Sequence, residues 1–463
     1  MTSDIANVIE GFDRDAAVAA ADGLLRELFP ICRSITGDGV RQTLRRLAET
    51  TPLDIHEVPS GTQVFDWQVP DEWNIRDAYI ADSGGRRIID FRRSNLHVVS
   101  YSEPIDREMD FPELREHLHT LPAMPDAIPY RTRYYSRGWG FCLSQNQCDA
   151  MDPAERYRVV IDSTLAPGSL SYGERRLSGH DGDGGEYLIS TYCCHPSLAN
   201  DNLSGVVLWT LLLRALEGRR LRHSYRFIVI PETIGAITYL ARNADACLGI
   251  SGGYVLTCVA GPGPFAYKRS FTSLTGGQSM VDRAALLSLR ERNLEFIDHP
   301  FDINGSDERQ YSQPHWRIPV GSICKDKYYD YHEYHTSADN LDFVSAESLA
   351  DTLEIYLSVI EKLELNCAYR SLMPYCEPML GRRNMYPSTG GAMHQGAAAG
   401  SHTGLQAVRM RPELESILWT MQAADGSTDL MALAERTGFA VRQLAATAER
   451  LVEHGLLERI GGR

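Results

Sequence analysis

Between residues 156 and 365, short apolar segments alternate with segments of helical periodicity. Five of the apolar segments are predicted to be strands: ERYRVVID, EYLISTYC, YRFIVI, GGYVLTCV and IPVGSIC. The segments between them have the spacing of amphipathic or buried helices, and a long helix is predicted over 346–365. Because parallel strands need a long crossover between them, this alternation predicts a mixed, mostly parallel sheet with helices on both faces. The fold class is therefore predicted to be α/β.

The segments on either side of this region differ from it in composition. Residues 55–120 contain short β-like runs broken by glycines and prolines, and they predict a small β-rich domain inserted into the α/β domain. Residues 386–408 are rich in Gly, Ala and Ser, which is typical of a linker or loop. Residues 409–463 predict three helices and a short strand, a pattern that resembles a winged helix. The α/β domain is then discontinuous, over 1–54 and 121–385.

The charge of the chain limits its partners. There are 46 Lys plus Arg and 61 Asp plus Glu, which gives a net charge of −15. A protein of this sign repels nucleic-acid phosphates and anionic lipids. The N-terminal residues lack the features of a signal peptide, and no apolar run reaches the roughly 20 residues of a transmembrane helix. We therefore expect a cytoplasmic protein that binds neither nucleic acid nor membrane, with exposed strand edges that allow homo-oligomers.

Side chains that bind metals follow the predicted strands. His195 and Asp201 come after one apolar strand, in CCHPSLANDNLSG, and Glu232 follows the strand RFIVI. His335 lies in EYHTSADNLDF, ahead of the last long helix. Ligands of α/β proteins bind at the carboxyl ends of strands, so these side chains are expected to converge there as zinc ligands and a general base. Taken singly, each has a structural alternative as a hydrogen-bonded histidine or a helix-capping acid.

These motifs resemble those of the zinc aminopeptidases in the leucine-aminopeptidase-like and transferrin-receptor-like superfamily. More closely, FDWQVPDEWNIRDAYI, CHPSLANDNLSG, GSDERQY and EYHTSADNLDF resemble a group of bacterial aminopeptidase-like proteins, known chiefly as domains of unknown function. That group has an inserted β domain and a winged-helix tail, and the resemblance extends along nearly the full chain. It implies a zinc-exopeptidase-like sheet between helices.

The resemblance also implies a role for individual residues. His195 and His335 are expected to bind metal, with Asp201 as the bridging or shared ligand. Glu232 is expected to act as the general base, and Tyr334 to stabilise the oxyanion of the tetrahedral intermediate. The enzyme would then be a zinc-dependent aminopeptidase.

The substrate of such an enzyme is a small peptide or an amino-acid amide with a free amino group. A carboxylate near the site would pair with that amino group and make the enzyme an exopeptidase. The sequence offers three candidates for this carboxylate: Asp307, Glu308 and Glu333.

Three positions depart from the two-metal pattern of these enzymes. Thr233 stands where a second glutamate would bind metal, Cys258 replaces an acidic ligand, and Ser197 replaces a helper aspartate. The three remaining ligands leave a fourth place open, which is the usual arrangement of a catalytic zinc. We therefore expect one Zn²⁺, with two as the alternative. Cys258 is expected to be a packing residue or, alternatively, an additional soft ligand.

Other functions stay open from the sequence. A single-zinc acyl transferase or cyclase of the same fold, similar to glutaminyl cyclase, would use a substrate amine in place of water. A chain that has lost metal ligands would be a catalytically lapsed metal-binding or regulatory protein. The tail lacks the basic character of a DNA-binding domain and is expected to cover the active site or to contact another subunit.

Overall fold

The computed structural model describes residues 4–180, 185–383, 385 and 412–460. The linker or loop predicted at 386–408 lies outside these residues. The strands have the following bounds: β1 Asp54–Pro59, β2 Gln63–Val64, β3 Trp67–Gln68, β4 Glu72–Ala81, β5 Arg87–Asp90, β6 Ile105–Asp110, β7 Leu118–His119, β8 Phe141–Cys142, β9 Arg156–Ala166, β10 Ser169–Leu177, β11 Glu186–Tyr192, β12 Ser224–Ile230, β13 Ile250–Val255, β14 Phe265–Lys268, β15 Phe296–His299, β16 Val320–Lys325, β17 Ala368–Ser371, β18 Asp425–Asp429 and β19 Leu457–Ile460.

The helices have the following bounds: α1 Ile5–Glu10, α2 Arg14–Leu28, α3 Asp38–Thr50, α4 Phe111–Arg115, α5 Gln145–Asp149, α6 Gly205–Leu216, α7 Ile234–Arg242, α8 Ala244–Cys247, α9 Met280–Glu291, α10 Glu308–Tyr311, α11 Ala346–Leu365, α12 Pro412–Gln422, α13 Leu430–Thr437 and α14 Val441–Glu453. None of the helices among the described residues combines the length and the apolar character that a bilayer crossing requires.

The largest sheet has eight strands in the order β1-β10-β12-β11-β13-β16-β14-β15. Its centre is parallel, because β12, β11, β13 and β16 run in one direction. Successive residues of β12 face opposite sides: Phe227 and Val229 pack in the core that contains α6, whereas Ile228 and Ile230 pack in the core that contains α7. Helices therefore cover both faces, and the predicted mixed, mostly parallel α/β sheet is confirmed.

Two strands belong to a different sheet from the one that the predicted domain boundaries gave them. β9 was expected in the large sheet, but it pairs with β4 and β6 in a four-stranded sheet of order β5-β4-β9-β6. Conversely, β1 pairs with β10 in the large sheet although it begins next to the predicted start of the inserted domain. The expectation for β9 was wrong because exposed and buried residues alternate along it. That pattern is typical of a sheet with one solvated face.

The C-terminal module begins earlier than the boundary predicted at residue 409. β17 forms a three-stranded sheet with β18 and β19, and α12, α13 and α14 complete the module. Arg283 at the start of α9 binds the carboxylate of Asp429 at 2.7 Å, and Arg442 of α14 binds Glu361 near the end of α11. Since His335 precedes the start of α11, the module lies towards the opposite end of that helix. The expectation that the tail covers this chain's own active site is therefore wrong.

Candidate metal centre

The structure brings four of the predicted site residues together beyond the carboxyl ends of β11 and β12. Nε2 of His335 lies 2.9 Å from Oδ2 of Asp201, and Nε2 of His195 lies 3.9 Å from the same oxygen. Nε2 of His195 is also 3.8 Å from Oε2 of Glu232. These contacts join residues that follow two strands, β11 and β12, with a histidine from the loop that precedes α11.

Asp201 lies in an irregular helical turn, Ala199–Ser204, that leads into α6. The carboxylate of Asp339 supports this turn, because it accepts hydrogen bonds from the backbone N–H groups of Asn200 at 2.6 Å and Asp201 at 3.0 Å. The Tyr331 hydroxyl donates to the same carboxylate at 2.8 Å. Burial raises the pKa of Asp339 to about 6. Asp339 therefore connects the loop of His335 to the turn that holds Asp201.

The protonation states suit metal binding. Burial lowers the pKa of His195 to about 4, so its imidazole is neutral at pH 7 and keeps a lone pair. Burial acts to raise the pKa of Asp201, but the imidazoles of His195 and His335 and the hydroxyl of Tyr192 outweigh it and lower that pKa to about 2. The Tyr192 hydroxyl donates to Oδ1 of Asp201 at 2.5 Å. Oδ2 then remains as the oxygen that faces both histidines.

Two buried atoms at the centre lack a hydrogen-bond partner among the described residues: Oδ2 of Asp201 and Nε2 of His335. They are close to each other, but they do not have the alignment of a hydrogen bond. A buried polar atom without a partner costs about 1–3 kcal/mol, so such atoms call for a ligand. Two imidazoles and a carboxylate form a donor set typical of catalytic zinc. The residues present therefore fit a divalent cation held by His195, Asp201 and His335, whose ligand atoms all lie within 4.8 Å of one another.

A second group of ligand atoms shares His195. Sγ of Cys194, a ring nitrogen of His195 and a carboxylate oxygen of Glu232 also lie within 4.8 Å of one another. The Cys194 thiol accepts a hydrogen bond from the backbone N–H of Glu232 at 3.3 Å, and burial raises its pKa well above its usual range. A neutral thiol is a poor metal ligand, since zinc binds the thiolate. Cys194, which the sequence analysis did not single out, therefore links the two strand ends.

Cys258, for which the resemblance implied the position of an acidic ligand, lies in a mainly aromatic and apolar cluster, and its Sγ accepts a hydrogen bond from the Thr257 hydroxyl at 3.4 Å. It is fully buried and packs with Ala266, Cys324, Tyr328 and Tyr331. Burial raises the pKa of its thiol well above the usual range. Among the described residues, it belongs to neither of the two groups that could hold a metal. This environment supports the interpretation of Cys258 as a packing residue.

Glu232 is the acid of the centre that reaches solvent. Its side chain is 29% exposed, in contrast to 1% for Asp201. Burial and the negative charge of Asp201 raise the pKa of Glu232 to about 7. The backbone that follows it is fixed by Asp307, whose Oδ1 accepts a hydrogen bond from the Thr233 N–H at 2.7 Å. Glu232 is thus positioned beside the three ligands with its carboxylate open to a substrate.

The three acids expected to bind the substrate amino group differ in environment. Asp307 is fully buried behind Glu232. Glu308 is buried in an ion pair with Lys268 at 2.8 Å and accepts a hydrogen bond from the Tyr328 hydroxyl at 2.8 Å. The expectation for Glu308 is therefore wrong, because its charge is already compensated inside the protein. Glu333 is half-buried, and among the described residues its carboxylate has no hydrogen-bond or ion-pair partner. Its charge is therefore not compensated in the way that the charge of Glu308 is, and it is more exposed than Asp307.

Two tyrosines flank the histidines. The Tyr334 ring stacks on the His335 ring with centroids 4.0 Å apart and an interplanar angle of 11°. Tyr130 lies with its ring centroid 5.2 Å from both His195 and His335, and its backbone N–H donates to the carbonyl of His335 at 2.8 Å. Tyr130 had no function predicted from the sequence. The only signal was its place in the Pro-rich, aromatic passage at 121–148.

A buried arginine supports His195 from behind. Nε of Arg33 donates to the carbonyl of His195 at 3.0 Å and Nη1 donates to the carbonyl of Leu28 at 2.6 Å, while Nη2 has no hydrogen-bond partner among the described residues. We predict that Arg33→Met weakens zinc binding by about 10- to 100-fold, as loss of a residue that supports a metal ligand does. The measurement is zinc affinity by competition with a chelator.

The matched control for this prediction is Arg26→Met, which removes an exposed arginine of α2 that forms an ion pair with Asp22 four residues earlier. Its zinc affinity should equal that of the wild type. If Arg33→Met folds, as judged by circular dichroism, and binds zinc as tightly as Arg26→Met, Arg33 has no part in positioning His195.

A family profile described as a domain of unknown function, DUF4910, matches residues 23–366. The chain belongs to the DUF4910 family. The DUF4910 domain contains all of the candidate metal ligands. A second profile, described as a winged helix-turn-helix, matches residues 367–459, and this match includes β17.

Relatives of this DUF4910 protein agree with the fold. A Clostridium acetobutylicum protein is 44% identical over 437 residues, covers 94% of this chain and 95% of its own, and has the provisional name of a polysaccharide biosynthesis protein with an aminopeptidase-like domain. The crystal structure of a provisionally named peptidase from C. acetobutylicum has a TM-score of 0.86 at 41% identity and covers 98% of both chains. A zinc aminopeptidase from Bacillus subtilis has a TM-score of 0.56 at 11% identity, over 76% of this chain and 95% of that chain. The predicted aminopeptidase-like fold with a winged-helix tail is confirmed.

Proposed function

We propose that this protein is a zinc-dependent hydrolase that cleaves an amide or peptide bond next to a free amino group. The observation that carries the proposal is the convergence of His195, Asp201 and His335 beside the partly exposed carboxylate of Glu232. The aminopeptidase-like fold supports it, since the same fold is found in a zinc aminopeptidase. We propose one zinc ion, because the three ligands leave one tetrahedral position open.

In the proposed mechanism, zinc held by the three ligands supplies Lewis acidity towards the scissile carbonyl and towards water. An Oε atom of Glu232 takes a proton from the attacking water and returns it to the leaving amine. The hydroxyl of Tyr334, whose ring stacks on His335, donates a hydrogen bond to the oxyanion. Tyr130 packs against both imidazoles and keeps them in place.

The carboxylate of Glu333 pairs with the free amino group of the substrate. It precedes Tyr334 and His335 directly, and it has no partner among the described residues. We predict that Glu333→Gln raises KM for an unblocked amino-acid amide by about tenfold, since an ion pair at a partly buried site contributes on the order of 1–2 kcal/mol. Steady-state kinetics with leucinamide measures this change.

Glu347→Gln is the control for Glu333→Gln, because Glu347 is an exposed acid at the start of α11. Its KM should match that of the wild type. An unchanged KM for Glu333→Gln would assign the recognition of the amino group to another residue.

The experiment that tests the function compares three substrates with zinc-loaded protein. We expect hydrolysis of leucinamide, no hydrolysis of N-acetyl-leucinamide, and loss of activity on addition of a chelator. Cyclisation of a peptide with N-terminal glutamine, without hydrolysis of leucinamide, would instead establish an acyl transferase or cyclase. Inactivity of the zinc-loaded protein towards all three would leave the metal-binding or regulatory alternative and the sugar-linked amides of the second candidate below.

A second candidate concerns the molecule that contains the amide. The provisional name of the C. acetobutylicum relative refers to polysaccharide biosynthesis. This name favours a substrate in which the amide is attached to a sugar, with the same ligands and the same general base. Substrates that combine an aminoacyl amide with an amino sugar test this candidate directly.

A further inference from the structure

A strip of four aromatic side chains lies on the surface near the metal centre: Phe65, Trp67, Tyr135 and Trp316. We call it the aromatic strip. The Trp67 and Tyr135 rings are 5.2 Å apart in an edge-to-face arrangement, and the Phe65 and Trp316 rings are 6.1 Å apart. Phe65 is 56%, Trp67 38% and Tyr135 57% exposed. The Trp67–Tyr135 pair is edge-to-face and the Phe65–Trp316 pair is tilted, so neither pair is stacked, and part of the ring surface stays exposed to a ligand.

A chain of tyrosine contacts connects the aromatic strip to the metal centre. Tyr135 contacts Tyr134 at 6.4 Å between centroids, and the Tyr134 hydroxyl is 2.7 Å from the Tyr130 hydroxyl. Tyr130 in turn packs against both imidazoles of the centre. The strip and the centre therefore lie at the two ends of one chain of tyrosine contacts.

Two elements of the centre also border the strip. The hairpin β2–β3, which holds Phe65 in its turn, packs against α7, and α7 begins two residues after Glu232. Trp316 follows α10, which begins directly after Asp307. The strip therefore borders the elements that position Glu232, which is the partly exposed acid of the centre.

The composition of the strip indicates the kind of ligand. Aromatic rings are its only exposed large apolar side chains among the described residues, and the exposed polar residues Gln63, Asp66 and Gln68 alternate with Phe65 and Trp67 along the hairpin. A pocket for the side chain of one amino acid is concave and enclosed. Open ring faces next to amide and carboxylate groups fit a ring with C–H groups on one face and hydroxyls at its edge, which describes a pyranose sugar.

We propose that the aromatic strip binds sugar rings of an oligosaccharide that is linked to the amide cleaved at the metal centre. The inference rests on the proposed function, and it names the substrate class of the same site. The net charge of −15 favours neutral sugars or amino sugars over acidic polysaccharides. The strip contributes affinity, while His195, Asp201 and His335 hold the metal.

The test measures sugar binding separately from hydrolysis. Isothermal titration of the full-length protein is performed with three probes: cellotetraose, chitotetraose and its fully de-N-acetylated form. We expect saturable binding of at least one probe and a loss of affinity of about tenfold or more in Trp67→Ala and in Tyr135→Ala, since each removes a stacking partner. Tyr375→Ala, which removes a 93% exposed tyrosine outside the strip, should bind like the wild type.

Three outcomes would overturn the proposal. One is that no probe shows saturable binding at concentrations up to about 10 mM. Another is that Trp67→Ala and Tyr135→Ala bind the sugar like Tyr375→Ala. The last is that Trp67→Ala dissociates an oligomer in sedimentation velocity, which would make the strip a protein interface. Because binding is measured without turnover, an inactive but sugar-binding protein would refute the proposed hydrolysis and keep only the sugar-binding role of the strip.

Discussion

Glu232→Gln should lower kcat/KM for amide hydrolysis by a factor of about 10³ and leave zinc binding unchanged. The amide of Gln is close in shape to the carboxylate but cannot take a proton, and general-base catalysis contributes roughly 10²- to 10⁴-fold. The carboxylate of Glu232 lies 3.8 Å from Nε2 of His195 and reaches solvent. The measurement combines steady-state kinetics with zinc content per chain.

The zinc measurement distinguishes two roles of this residue. Glu232 also belongs to the group of ligand atoms with Cys194 and His195. If Glu232→Gln loses both zinc and activity, Glu232 is a ligand and not a base. If the variant retains both, the proton is taken by another group, and the mechanism proposed for Glu232 is wrong. Glu347→Gln again serves as the variant that should behave like the wild type.

The second large effect concerns the ligands themselves. Asp201→Asn and His335→Ala should each reduce zinc affinity by more than about 100-fold, which is the upper end of the effect of losing only a supporting residue. Oδ2 of Asp201 and Nε2 of His335 face each other at 2.9 Å without a hydrogen bond, so each variant removes an atom that otherwise lacks a partner. Activity should fall together with zinc content.

Thermal stability gives an independent readout of the same variants. Zinc at about 100 times its Kd should stabilise the wild type by about 2.7 kcal/mol, and this gain should disappear in both ligand variants. His332→Ala is the matched control for His335→Ala, because His332 is an exposed histidine three residues earlier in the same segment. Zinc-dependent stabilisation that survives in His335→Ala but disappears in His332→Ala would contradict the ligand set.

The parts of the site that could be predicted are those set by the direction of the strands. His195 and Glu232 each follow a buried strand, and parallel neighbours must present their carboxyl ends at one edge of the sheet. Asp201 and His335 could be predicted because their motifs resemble those of zinc aminopeptidases. The number of residues between His195 and Glu232 did not matter for this prediction, because the register of β11 with β12 brings the two strand ends together.

The parts that could not be predicted depend on contacts between residues far apart in sequence. The role predicted for Glu308 was wrong because Lys268, 40 residues earlier in the sequence, is buried against it. Tyr130 lies at the centre because the residue before it, Pro129, forms a β-bridge with Thr336. Propensity and periodicity do not encode such pairings. The same holds for Arg33, whose side chain crosses to the carbonyl of His195, 162 residues further along the chain.

The strands that pair with β9 could also not be predicted from the local sequence pattern, although the pattern contained one indication of a different sheet. Tyr157, Val159 and Ile161 are buried while Arg156 and Arg158 are exposed, so the strand has one solvated face. The central strands β11 and β12 are instead buried on both faces. An alternating strand next to continuously apolar ones therefore indicates a second sheet.

The most direct measurement of the central claim is anomalous diffraction at the zinc absorption edge from crystals grown with one equivalent of Zn²⁺. We predict a single anomalous peak within about 2.0–2.2 Å of a ring nitrogen of His195, a carboxylate oxygen of Asp201 and a ring nitrogen of His335. Zinc at any other group of side chains, or no peak at this centre although the protein in solution contains zinc, would contradict the account.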